Sequence, residues 1–242
     1  MGKARPREDR AMTRADLNKE PEDVSGMFDR VAKRYDLLND LMSLGQSKRW
    51  RKKVTAIINP EPGMKILDIA AGTGASSEPL AKAGAEVIAL DFSEGMLAAG
   101  RKMRSGIKFQ FGDALNLPFK DGEFDITTIS FGLRNTNDVG LALKEALRVT
   151  KNGGSIYIVE FSQPTFSPFR YIYMKYLLKA LPVIAKRLSP NPDAYIYLAE
   201  SILSWPAQGE LASIMEESGW RSPRWRNLTG GVVAVHIAQK SL

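Results

Sequence analysis

Between residues 24 and 59 the apolar side chains Met27, Phe28, Val31, Leu37, Leu38, Leu41, Met42, Leu44, Trp50, Val54, Ile57 and Ile58 recur at roughly helical spacing, interrupted near Gly45. That period lays an apolar stripe along a helix and predicts two or three short helices. Beyond residue 60 the period changes. Short apolar or β-branched runs at 64–69, 86–90, 107–111, 124–130 and 155–161 read as strands, and the stretches 75–83, 94–104 and 139–149 between them as helices. Strands this apolar are buried on both faces, and their alternation with helices predicts a parallel, doubly wound α/β sheet. The texture then shifts. At 167–188, Phe169, Tyr171, Ile172, Tyr173, Met174, Tyr176, Leu177 and Leu178 crowd a helix that also carries Arg170, Lys175 and Lys179, which reads as part of a helical cap inserted at 163–203. Helices at 194–203 and 207–218 precede two strands, 224–228 and 232–239, and Gly230-Gly231 between them suits a hairpin. Residues 1–23 mix charge with few apolar groups and read as a mobile tail, which leaves 24–242 as one domain.

Composition narrows the chemistry. With no cysteine in 242 residues, disulfides, thiolate nucleophiles and thiolate metal centres are excluded, and a single histidine cannot build a histidine-rich metal site. The longest charge-free stretch, 227–239, has 13 residues, short of the roughly 18 that a membrane span needs. The polar first 23 residues lack the apolar core of a secretory signal, so a cytoplasmic location is expected. The net charge of +7 invites a nucleic-acid reading, but its distribution argues otherwise. Residues 24–60 carry +5 and 163–190 carry five basic groups with no acid, whereas the central 61–162 carries −2. Nucleic acid is therefore not an expected partner.

The sharpest local motif is Leu67-Asp68-Ile69-Ala70-Ala71-Gly72-Thr73-Gly74, a strand entering a Gly-rich turn that leads to a helix. Small residues let a ligand approach the backbone, and the helix N-terminus favours polar groups. A dinucleotide site would carry G-x-G-x-x-G, but the sixth position from Gly72 is Ser77, and Asp68 upstream would repel a pyrophosphate. Such an acid suits a zwitterionic amino acid that bears a sulfonium. The second strand ends at Ala89-Leu90-Asp91, where a carboxylate can accept hydrogen bonds from both ribose hydroxyls, and the third at Phe111-Gly112-Asp113-Ala114. A lone Asp at a strand end is often a cap or turn residue; three in register with one Gly-rich turn point to a ligand. The pattern D-x-A-x-G-x-G resembles motif I of the S-adenosylmethionine-dependent methyltransferases, with Ala70 in place of the usual first Gly. Five parallel strands and a terminal hairpin likewise resemble the seven-stranded sheet of the class I enzymes. The resemblance implies S-adenosyl-L-methionine as cofactor, held by Asp68, Gly72, Thr73, Gly74, Asp91, Asp113, Ala114 and Ser130, with Asp113 and Ala114 at the adenine.

After the fourth strand stands Ser130-Phe131-Gly132-Leu133-Arg134-Asn135. A nucleic-acid amine methyltransferase would carry Asn/Asp-Pro-Pro-aromatic there, and attack on a pyrimidine ring would need the missing cysteine. The hexad instead resembles the ubiquinone/menaquinone biosynthesis C-methyltransferases. So do Tyr35-Asp36-Leu37-Leu38-Asn39-Asp40-Leu41-Met42-Ser43-Leu44-Gly45 with Trp50, Arg148-Val149-Thr150-Lys151-Asn152-Gly153-Gly154 through Val159-Glu160-Phe161-Ser162, and Leu228-Thr229-Gly230-Gly231-Val232-Val233-Ala234-Val235-His236. The similarity covers about residues 24–240. Two positions depart: Ser47 stands where the family often has His, and Asn152 where Pro is usual. Any role of a histidine at the first position cannot apply here.

The resemblance implies methylation of a ring carbon of a demethylated polyprenyl quinol, with demethylmenaquinol to menaquinol in first place. Such chemistry asks for alignment, exclusion of water and a cation facing the oxygen that becomes anionic. Arg134 is the expected stabiliser, since a guanidinium is too basic to take the proton itself. His236, Asp113 or water is the expected proton acceptor, although His236, in the alternating run Val232, Ala234, His236, Ala238, reads equally as a structural histidine. Tyr35, Asn39 and Asn135 are expected at the quinol. The cap suits a prenyl tail, a peripheral contact with anionic membrane, or plain core, and a homodimer stays open. Two alternatives stand beside this reading: a methyltransferase for another small molecule or lipid, and a non-catalytic organiser of quinone-pathway enzymes.

Overall fold

The computed structural model describes residues 45–180 and 192–242, together with Gly26, Met27, Asp29, Asp36, Asp40, Ser43, Val183 and Arg187. In chain order the elements are α1 (Gln46–Ile58), β1 (Lys65–Ile69), α2 (Ser77–Lys82), β2 (Glu86–Asp91), α3 (Glu94–Met103), β3 (Lys108–Phe111), β4 (Phe124–Ser130), α4 (Val139–Val149), β5 (Thr150–Phe161), α5 (Ser167–Lys175), α6 (Pro192–Leu203), α7 (Gln208–Glu217), β6 (Arg221–Leu228) and β7 (Val233–Gln239). The strands form a seven-stranded sheet in the order β3-β2-β1-β4-β5-β7-β6. β1 to β5 pair in parallel, and β7 runs antiparallel to both its neighbours, β5 and β6. The doubly wound sheet with a terminal hairpin is the arrangement that the alternation predicts.

Successive residues of each strand point to opposite faces, and both faces are covered. Ile66, Val87, Ile126, Val159 and Val235 pack with Trp50, Val54 and Ile58 of α1 and Leu80 of α2. Leu67, Ile69, Ile129, Ile156 and Ile158 pack with Ala142, Leu143, Ala146 and Val149 of α4 and with Leu211 and Met215 of α7. In α4 those apolar positions share one stripe, and Asp138 caps the start by accepting the Leu141 N–H at 2.8 Å.

Three of the boundaries that differ from expectation have a visible cause. α2 starts at Ser77 rather than 75, because Gly72 and Gly74 hold φ of 58° and 78°, which no helix accommodates. β5 starts at Thr150 rather than 155: its pairing with β4 is interrupted by a register shift, and Gly153 turns the chain at φ 73°. The helix expected over 167–188 is α-helical to Lys175 and then widens into a π-type turn, Tyr176–Ala180; Val183 and Arg187, the described residues beyond it, are again helical. Most of 181–191, the tail at 1–23 and most of the helices expected before Gly45 lie outside the described residues. Among the described residues, no helix is long and apolar enough to cross a membrane.

Candidate active site

Strand order reverses between β1 and β4, which opens a crevice beyond their C-terminal ends, and a cavity of about 570 Å³ lies there. One wall is the turn after β1. Ala71 N–H donates to Leu90 O at 2.9 Å and Gly72 N–H to Asp91 Oδ2 at 2.7 Å, so the turn is stitched to β2. Ala70 takes a left-handed φ of 54°, a conformation that costs a residue with a Cβ about 1 kcal/mol. The turn after β4 passes so close that a Cβ on Gly132 would lie 2.4 Å from Ala70 Cβ.

Of the residues expected at a cofactor, Gly72, Thr73, Asp91, Asp113, Ala114 and Ser130 line the cavity. Asp91 Oδ1 accepts the Ser93 N–H at 2.8 Å, so backbone N–H groups hold both of its oxygens in place at the cavity. Burial pushes Asp91 above its ordinary pKa, and the same backbone N–H groups pull it back down. Asp113 Oδ1 accepts the Leu115 N–H at 2.9 Å. A Cβ on Gly72 would meet nothing within 4 Å, so the turn offers bare backbone to the cavity. Bare backbone between two acceptor carboxylates leaves room for the amino-acid portion of S-adenosylmethionine and offers acceptors that fit its ribose hydroxyls.

Two expected cofactor contacts are corrected. Asp68 does not line the cavity but lies fully buried beneath the turn, accepting the hydroxyls of Ser77 at 2.6 Å and Thr128 at 2.7 Å. It is a strut between β1, β4 and α2, and burial pushes its pKa up to about 6. Gly74 also turns away from the cavity; a Cβ there would lie 2.8 Å from the ring of Phe109.

His236 is corrected as a catalytic residue. It pairs with Ile158 inside the sheet, on the face covered by α7, and does not line the cavity. Its Nε2 lies 2.9 Å from the Gln208 carbonyl, which can only accept, so Nε2 carries the proton and Nδ1 has no partner. Burial lowers its pKa, which keeps the ring neutral. Alternation in β7 tells which face a side chain takes, and not how far it sits from the strand end.

Arg134 stands in the cavity wall, on a 3-10 turn, Leu133–Asn135, and it is held in a buried ion pair. Its Nη1 donates to Glu160 Oε1 at 2.8 Å and to Phe131 O at 2.5 Å, and the guanidinium sits 5.2 Å from the Phe161 ring centroid. The two side chains are only 5% and 1% exposed. Burial drives Glu160 above its ordinary pKa against the pull of Arg134. Asn135 lines the cavity, and its Oδ1 accepts the Tyr197 hydroxyl at 3.2 Å. Tyr35 and Asn39 lie outside the described residues.

Several contributors carried no separate signal. Arg104, at the end of α3, donates to Thr73 O at 2.9 Å, Asp36 Oδ2 at 2.7 Å and Glu78 Oε2 at 3.1 Å, and the Thr73 hydroxyl donates to Asp36 Oδ1 at 2.8 Å. Asp36 belongs to a quoted signature, but nothing in the chain marks Arg104 as its partner. Ser47, where the family often has His, donates to Asp40 Oδ1 and lines the cavity. Trp50, Phe131 and Phe161 form an aromatic wall, with centroids 5.0 to 6.3 Å apart. Beyond it, Phe169, Tyr173, Tyr176, Leu177, Tyr197 and Ile202 cover the cavity from the region between β5 and α7. Burial pushes the phenols of Tyr173 and Tyr176 up, so both stay neutral.

Against this geometry, comparison with known proteins is consistent along the whole chain. A profile of the ubiE/COQ5 methyltransferase family matches residues 14–240. A demethylmenaquinone methyltransferase of Streptomyces avermitilis is 55% identical over 231 residues, 96% of this chain and 100% of that one. That of Renibacterium salmoninarum is 55% identical over 229 residues, 95% of this chain and 97% of that one. A SAM-dependent methyltransferase of Thermotoga maritima, at 21% identity, superposes with a TM-score of 0.66 over 89% of this chain and 99% of that one, a likeness of fold. With the Gly-rich turn, the strand-end acids and nearly the full length in agreement, the chain belongs to the ubiE/COQ5 methyltransferase family.

Proposed function

We propose that this protein transfers a methyl group from S-adenosylmethionine to a ring carbon of demethylmenaquinol, giving menaquinol, from the cytoplasmic side of the membrane. The observation that carries the reading is one cavity with two chemically different ends. Bare backbone at Gly72 and the acceptors Asp91 and Asp113 line one end; Phe161, Phe169, Tyr173, Leu177 and Ile202 line the other, which suits a fused apolar ring and the start of a prenyl tail. Relatives 55% identical over nearly the whole chain carry the name of that activity.

S-adenosylmethionine supplies an electrophilic methyl on a sulfonium, so no metal or thiol is required of the protein. Asp91 would accept the ribose hydroxyls, Gly72 would lie against the amino-acid part, and Asp113, Ala114 and Ser130 would border the adenine. Arg134 would face the quinol oxygen that gains charge as its proton leaves to solvent; the ring carbon takes the methyl as the methyl–sulfur bond breaks, and the hydrogen displaced from that carbon replaces the proton on the oxygen, restoring the quinol. Glu160 holds the guanidinium in place, so little reorganisation is left for the reaction itself. Because Asn135 Oδ1 is taken by Tyr197, its amide N–H groups are the ones left to donate to the quinol. The apolar wall keeps water from the reacting carbon.

Methyl-labelled S-adenosylmethionine incubated with demethylmenaquinol or with the corresponding demethylated benzoquinol, followed by mass spectrometry, tests the proposal. Labelled menaquinol is expected. Label in neither quinol would refute it and favour another acceptor, and label in the benzoquinol alone would reassign the substrate.

A further inference from the structure

Beside the cavity lies a surface that methyl transfer does not use. Among the described residues eleven large hydrophobic side chains are exposed, and five of them, Phe166, Tyr171, Ile172, Leu178 and Val183, fall within 166–183. α5 turns Phe169 and Tyr173 to the cavity, yet its outer side is also apolar, unlike an ordinary surface helix with one polar face. Interspersed among these groups are Arg170, Lys175, Lys179 and Arg187, all exposed, and 163–190 holds no acid. Lys175 Nζ lies 4.3 Å from the Tyr171 ring centroid, a cation–π pair standing at the surface. Ile172 belongs to both regions: it is 64% exposed and it also lines the cavity, so the patch borders the cavity mouth.

We infer that this face docks on a membrane surface rich in anionic lipid, with its apolar side chains at the headgroup–acyl boundary and its cations at the phosphates. Apolar groups flanked by Lys and Arg match such an interface, where each cation strengthens binding about fivefold. A second copy of the chain fits poorly, because two such faces would bring cations against cations with no acid from 163–190 between them. Docking deepens the proposed function, and rests on it for what is delivered: a prenylated quinol dissolves in the bilayer that the cavity mouth would meet.

Flotation of the full chain with vesicles of phosphatidylcholine alone, or of phosphatidylcholine and phosphatidylglycerol in equal parts, tests the docking. Binding to the anionic vesicles alone, reversed by salt, is expected. Lys175→Glu/Lys179→Glu removes two cations and is expected to weaken binding on the order of 30-fold or more. Tyr171→Ser/Leu178→Ser, at positions outside the cavity lining, is expected to weaken binding and slow methylation of a long-tailed quinol in vesicles, leaving a short-tailed quinol in solution unaffected. Equal binding to both vesicle types, wild-type binding by the variants, or a wild-type dimer that the variants dissociate would overturn the docking. If no quinol is methylated, the functional reading fails while flotation still decides the docking.

Discussion

Glu160→Gln keeps the shape of the side chain and an oxygen for Arg134 Nη1, and deletes the negative charge beside a guanidinium that is 5% exposed. Leaving a buried charge without its counter-charge costs about 3–5 kcal/mol. The remaining amide oxygen, the Phe131 carbonyl and the Phe161 ring still engage Arg134, so the low end, about 3 kcal/mol, is expected. In a chain of this size each kcal/mol shifts Tm by about 2–4 °C, so Tm should fall by about 6–12 °C. Removing both charges leaves no buried charge unpaired. Arg134→Leu/Glu160→Leu places apolar groups in a buried site and should unfold near the wild-type temperature. If Arg134 has the proposed role, turnover should nevertheless fall on the order of 10²–10³-fold, because the group proposed to face the developing anion is gone. Thermal unfolding by circular dichroism on the three proteins, with single-turnover methylation, separates the two effects. A Glu160→Gln protein within about 2 °C of wild type, or a double variant no more stable than the single one, would show that the pair does not hold the wall together.

Asp68 titrates near about 6 in the fold against an ordinary 3.8, so its protonated form favours the folded state. That contribution is complete below about pH 4 and is lost as pH rises through about 6; relative to wild type, Asp68→Asn should gain up to about 3 kcal/mol across this window. Urea midpoints from about pH 4 to 7 check this, and parallel curves would contradict it. Gly132→Ala drives a Cβ to 2.4 Å from that of Ala70 and should cost about 1–3 kcal/mol and weaken cofactor binding in calorimetry; adding Ala70→Gly should restore both, and failure to do so would exclude the contact as the cause. His236→Phe leaves the Gln208 carbonyl without its donor, which should cost about 1–3 kcal/mol of stability with kcat unchanged. A parallel fall in kcat would return His236 to the chemistry.

Local features carried well from sequence to structure. The change of period near residue 60 marks where the sheet begins, and the Gly-rich turn falls at the end of β1 because Gly72 and Gly74 supply the positive φ that ends the strand. Asp91 ends β2 and Asp113 follows the end of β3 by two residues, and both line the cavity because parallel strands bring their C-terminal ends to one side. What stayed hidden depends on separation and depth. Arg134 and Glu160 are 26 residues apart, and Arg104 and Asp36 are 68 apart, with no local period linking either pair. Asp68 misled because a buried acid beneath a turn and an exposed one above it share the same spacing. Only the hydroxyls of Ser77 and Thr128, brought in from α2 and β4, distinguish the two.

The indole N–H of Trp50 donates to the Thr229 hydroxyl at 2.8 Å, across 179 positions of the chain. A ribosome adding about 5–20 residues per second completes the Gly-rich turn roughly 10–30 s before it reaches Thr229. β7, which fills the gap between β5 and β6, is made later still. The Gly-rich turn can therefore be assembled early in synthesis, whereas the aromatic wall at Trp50 waits for Thr229. A product cut short before Thr229 would lack the anchor of its aromatic wall, so that wall of the cavity can close only after 179 further residues have followed Trp50.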